Sequence, residues 1–113
     1  MNNTVFKVNM NSLPEEARNW NWEKVSYAPW SKLPEIPCVF VITKTEYGVL
    51  IPLQVSHTGN LKNFVNSGQD VEVPASNRAD KSAEIHYVVE GNEIKRREMK
   101  TLLKKTFGLD IGF

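Results

Sequence analysis

The groups in this chain able to do chemistry are few: His57, His86, Cys38 and a scatter of carboxylates and cations. Neither histidine has a cysteine or second histidine at ligand spacing, so the pattern of a transition-metal site is missing. Ser56 beside His57 puts a nucleophile next to a base in sequence, but neighbours on a strand point to opposite faces. Cys38 begins the apolar run Cys38-Val39-Phe40-Val41-Ile42 and reads as a buried core thiol. Gly48, Gly59 and Gly68 are too far apart to form a phosphate-cradling loop. Cations are concentrated at one end: Lys95, Arg96, Arg97, Lys100, Lys104 and Lys105 give residues 92–113 a net +3, while residues 37–91 carry −2 and residues 1–36 are neutral. Such a segment is either a solvated helix face or a phosphate-contacting one, and the solvated face is the commoner.

The elements that hold these groups must form one domain, because 113 residues cannot bury two cores. A hydrophobic content of 41% with 24% charged residues excludes wholesale disorder. The net charge of +1 excludes a strongly basic nucleic-acid coat and an acidic mimic spread over the whole chain. One cysteine excludes a disulfide framework. No apolar run approaches the roughly 20 residues of a membrane span. The start MNNTVFKVNMN lacks an apolar signal core, which gives the expectation of a cytoplasmic protein.

Along the chain, Ser12 followed by Leu13-Pro14-Glu15 reads as a capped helix start, with the helix ending near Trp20. Residues 20–36 hold three tryptophans and two prolines with no clean period. They read as an irregular segment whose aromatics wrap the core, with a base-stacking platform on Trp20, Trp22 and Trp30 as the functional alternative. Residues 37–43 and 49–55 read as a hairpin of two strands. Pro52 removes a ladder donor from the second, which requires a sheet edge or a bulge. A short helix follows from Thr58 or Gly59, with Leu61, Phe64 and Val65 on one face and Gly68 as its stop. Residues 69–82 read as a loop and residues 83–89 as a third strand. Asn92 then caps a helix to about Phe107, with Ile94, Met99, Leu102 and Leu103 as its inward stripe. The expected fold class is α+β: a three-stranded, mostly antiparallel sheet flanked by helices. An N-terminal arm, short helix and Trp/Pro-rich extension occupy residues 1–36, and the core occupies residues 37–113 of a single compact unit.

One ordered pattern goes further. Pro37-Cys38-Val39-Phe40-Val41-Ile42, a turn, Gly48-Val49-Leu50 and then Thr58-Gly59-Asn60-Leu61-Lys62-Asn63 resembles the core of a GIY-YIG nuclease domain. The lead-in Trp30-Ser31-Lys32-Leu33-Pro34-Glu35-Ile36-Pro37 is similar to that of some small members, and the resemblance spans about residues 30–107. It implies a two-strand hairpin, a helix, a third strand and a glutamate-bearing helix. It also implies phosphodiester hydrolysis with one divalent metal held by that glutamate, assisted by tyrosines and an arginine. The positions that would carry this chemistry depart from the pattern. The first tyrosine falls on Phe40, the second on Gln54 or, with a shifted alignment, Ile51, and the arginine on Phe64. The glutamate falls at Glu98 or Met99. One positioned charge is worth about 10²–10³ in rate, so losing three or four together should abolish turnover.

The expectation is therefore a catalytically degenerate GIY-YIG-like binding module without a resident cofactor. Its partner would be nucleic acid or a protein, such as an active nuclease or a host defence factor. Small phage and mobile-element proteins reuse nuclease folds in this manner. His57, Asn60, Lys62, Arg78, Arg96 and Arg97 are the nucleic-acid-binding candidates, with helix capping as the alternative role of His57 and Asn60. Two alternatives stand beside it. One is a live endonuclease using Mg²⁺ or Mn²⁺ on Glu98 with His57 as general base. The other is an unrelated small α+β interaction module.

Overall fold

The β-branched run after Pro37 becomes the middle of a sheet. The structure, a computed structural model, describes residues 13–27, 32–46, 49–67 and 83–107. In chain order these form α1 (Glu15–Arg18), β1 (Glu23–Ser26), β2 (Cys38–Glu46), β3 (Val49–Thr58), α2 (Leu61–Ser67), β4 (Glu84–Val89) and α3 (Glu93–Phe107). The four strands pair antiparallel in the order β1-β4-β2-β3.

Alternation along β2 sends side chains into two separate cores. Cys38, Phe40 and Ile42 face α2, where Leu61 and Val65 meet Leu33, Tyr27, Ile85 and Tyr87. Val39 and Val41 face α1 and α3, where Ala17, Val88, Met99 and Leu103 close over them. The sheet is thus a filling between helices on both sides. Ser56 lies opposite Phe40 and His57 opposite Val39, so this adjacent pair does point to opposite faces.

Turn and cap chemistry agrees with the pattern read from the sequence except at α2, which opens on Asn60 and not on Thr58 or Gly59, because β3 runs on to Thr58. Pro52 lies on the edge strand β3 beside a register shift between Ile42 and Thr43, so edge and bulge both accommodate its missing donor. The Asn60 side chain accepts from the Asn63 amide at 3.0 Å, and the Leu61 amide donates to the Ile36 carbonyl at 3.0 Å. Asn92 caps α3 by accepting from the Lys95 amide at 2.9 Å.

Three further expectations need correction. The segment read as irregular contains β1, which pairs Glu23–Ser26 with β4 and makes the sheet four-stranded. Its short, charged sequence gave no alternation to see, because an edge strand of four residues buries little. The first helix is a single turn with Pro14 at its cap position and no side-chain cap; Ser12 lies outside the described residues. Ile94 is 70% exposed, and Arg96 takes the inward place it was given. Trp20 and Trp22 pack against the α3-side core with their rings 6.0 Å apart, and Trp22 Nε1–H donates to the Ala17 carbonyl at 2.9 Å. Trp30 lies outside the described residues.

His86 is fully buried on β4, in register with Val41 and on its face of the sheet. Burial, with a smaller push from Lys24, lowers its pKa from 6.5 to about 4. Glu84 Oε1 is 3.9 Å from Nε2, too far for a hydrogen bond that would hold the ring charged. The unfolded chain therefore binds a proton near pH 6.5 that the folded chain refuses until about pH 4. Stability is full above pH 6.5 and falls as pH drops towards 4, by about 3 kcal/mol in all. Urea unfolding from pH 7.5 to 4 should show this loss, and His86→Leu should flatten most of it.

Candidate functional site

Three of the positions that the nuclease resemblance marks share one face of the sheet, and the glutamate position lies on the other. Phe40 is fully buried on the α2 face, and Phe64 of α2 closes on it edge to face, with ring centroids 5.1 Å apart at 72°. Gln54 lies opposite Ile42 on that same face and is also buried. Where a tyrosine hydroxyl and a guanidinium would be needed, two phenyl rings fill the space. Glu98 is exposed on α3, across the sheet from all three. Met99, the other residue at the glutamate position, is buried in the α3-side core. Among the described residues no three His, Cys, Asp or Glu side chains gather closely enough to hold a metal ion. Glu98 alone does not suit a divalent cation, which needs several oxygen ligands.

A different group does converge, on the flank where β3 meets α3. Arg96 is 7% exposed and spends its donors inside the fold. Its Nη1 donates to the carbonyls of Glu90 at 3.0 Å and Gly91 at 3.1 Å, tying the β4–α3 connection to the helix. Its Nε–H points at His57 Nδ1, a long contact of 3.4 Å. A guanidinium only donates, so Nδ1 accepts and the His57 proton resides on Nε2. Burial first, then Lys100, Arg96 and Arg97, lower the His57 pKa, with Glu93 opposing. Neutral His57 therefore presents an N–H donor at Nε2, not the lone pair a general base needs there.

Arg97, Lys100 and Lys104 follow one another at helical spacing along the same flank of α3. Arg97 is exposed and paired with Glu93 at 2.7 Å, a surface bond that a stronger anion can replace. The remaining candidates lie elsewhere. The Asn60 side chain is a helix cap, Lys62 is the second residue of α2 with its amide donated to the Pro34 carbonyl at 3.2 Å, and Arg78 lies outside the described residues. Sequence reasoning counted Lys100 and Lys104 in the basic segment but left both out of the binding candidates. The place of Lys100 three residues after Arg97 was a usable signal, once the inward phase of the helix was known.

The other flank of α3 bounds a cleft of about 440 Å³ against α1 and the end of β4. Trp20, Val88, Met99 and Leu102 form its apolar walls, and Glu16, Glu90, Lys95 and Glu98 are the charged groups around it. No helix of the described residues is long and apolar enough to cross a membrane. Comparison with family models, curated proteins and solved structures finds no match to the chain.

The His57 arrangement makes two expectations. Proton-coupled nitrogen NMR should find the Nε2–H tautomer with a pKa below 6.5, and Lys100→Gln should move that pKa upward. Arg96→Ala removes the donors to two carbonyls and should cost about 2–3 kcal/mol in urea unfolding.

Proposed function

We propose that this chain is a GIY-YIG-like domain that has lost nuclease chemistry and binds nucleic acid through the His57–α3 flank. The order hairpin, helix, strand, helix from β2 to α3 supports the family reading. Phe40, Gln54 and Phe64 lying across the sheet from Glu98 supports the loss of catalysis. The observation that carries the binding role is the gathering of His57 with Arg97 and Lys100 on one flank, which Lys104 continues at helical spacing along α3. Three cations and a fixed donor suit a run of phosphates, and they read no base edges. Binding is therefore sequence-tolerant and weak, in the range of about 10⁻⁴–10⁻⁶ M.

Neutralising three phosphates gives a salt slope of about −2.7. Affinity for a 20-base-pair DNA duplex should then fall roughly 40-fold from 50 to 200 mM salt. Lys100→Gln with Lys104→Gln should reduce that drop to about three- to fourfold. Affinity unmoved by salt, or unmoved by the double substitution, would sink this reading. A plasmid-nicking assay in Mg²⁺ or Mn²⁺ should show no cleavage; metal-dependent nicking lost in Glu98→Ala would restore the endonuclease alternative.

A further inference from the structure

The cleft on the far flank of α3 has the opposite character. Trp20, Val88, Met99 and Leu102 line it together with Asn21 and four charged groups, and Val89, also in its lining, is 49% exposed, one of two large hydrophobic side chains so exposed among the described residues. Three carboxylates surround it against one ammonium, and that ammonium, on Lys95, is already 3.9 Å from Glu90. Glu90 is further occupied by the Asn92 amide at 3.0 Å. Glu16 and Glu98 are exposed and form no ion pair among the described residues. The charge left over is negative, so a phosphate backbone is repelled here. A bare cation finds too few ligands, because among the described residues no three His, Cys, Asp or Glu side chains gather to hold one.

An apolar trough with uncommitted carboxylates at its edge matches an amphipathic cation. A lysine or arginine lays its methylene stem along apolar surface and keeps its head at the polar edge. A guanidinium can also stack over an indole such as that of Trp20. The volume lies within the ~300–1,000 Å³ of small-ligand sites, room for a few side chains and not for a folded domain. We propose that this cleft docks a segment of a partner protein that presents an arginine or lysine next to an aliphatic side chain. The basic head sits between Glu16 and Glu98, and the aliphatic group covers Val89. This docking uses none of the groups assigned to phosphate, so α3 holds a protein on one flank and nucleic acid on the other.

The test is an amide-correlation NMR titration of the full chain with a capped tetrapeptide of alternating leucine and arginine. The amides of Val88, Val89 and Glu90 and the Trp20 indole should shift and saturate, the indole being assigned with Trp20→Phe. A leucine–glutamate peptide of the same length should leave them still. Glu16→Gln with Glu98→Gln alters two exposed side chains, so the fold persists, and should weaken binding at least fivefold. The proposal is overturned by any of four results: no saturable shift at these signals, an equal response to the acidic peptide, shifts confined to the His57 flank, or unchanged affinity in the double variant. A 20-base-pair duplex that shifts the cleft signals in place of those on the His57 flank would also overturn it. Failure here leaves the phosphate reading of the other flank standing, because Lys100 and Lys104 are untouched.

Discussion

Everything in this fold depends on the first half of β2, Cys38–Ile42, having no solvent face. Cys38, Val39, Phe40, Val41 and Ile42 are all fully buried, so both sides of the sheet must be covered. A strand of this kind cannot be left half-wet, since each exposed side chain would forfeit about 1.5–3 kcal/mol of burial. The chain meets the demand with α2 on one side and α1 with α3 on the other. The same division decides what the protein can do. Side chains from α2 and α3 are held apart by the sheet, and a reaction centre built from both has no place to form. The Phe40–Phe64 contact completes the closure by filling the α2 side with hydrocarbon.

The orientation of α3 is set by polar contacts as much as by its apolar stripe. Asn92 fixes where the helix begins, and Arg96 pins its first turns to the carbonyls of Glu90 and Gly91. With Arg96 inward, Met99 and Leu103 follow into the core at helical spacing. Arg97 and Lys100 turn towards His57 of β3, while Glu98 and Leu102 turn towards α1 and the end of β4. The two flanks differ in sign because that rotation divides a mixed sequence unevenly.

Much of this architecture was legible in the sequence where one residue type admits one solution. Pro52 demanded an edge or a bulge, Asn92 marked a helix start, and the run after Pro37 had the composition of a doubly buried strand. Where burial is partial the signal fades. Glu23–Ser26 earns its place in the sheet from pairing with β4, an interaction across sixty residues that no local window contains. The phase of α3 was misread because Ile94 is apolar and Arg96 is charged, and hydropathy alone prefers the former inside. Backbone carbonyls left over at the end of β4 make the guanidinium the better fit. The candidate cations were visible as a cluster, yet only the fold shows that Arg96 is structural and that His57 stands beside the rest. The cleft could not be read in advance, since Glu16 and Trp20 are brought to Glu90 and Glu98 by tertiary packing alone.

The chain's single thiol lies in the strand that everything else covers. Burial raises the Cys38 pKa to about 12, with Arg96 pulling weakly the other way. A thiol rather than a thiolate, shut away from solvent, ignores electrophiles and oxidants while the molecule is closed. Alkylation of Cys38 therefore requires its face of β2 to be uncovered, which means parting the sheet from α2. The protein carries its own clock for that opening: the pace at which a thiol reagent consumes Cys38 counts the excursions that lift α2 from the sheet.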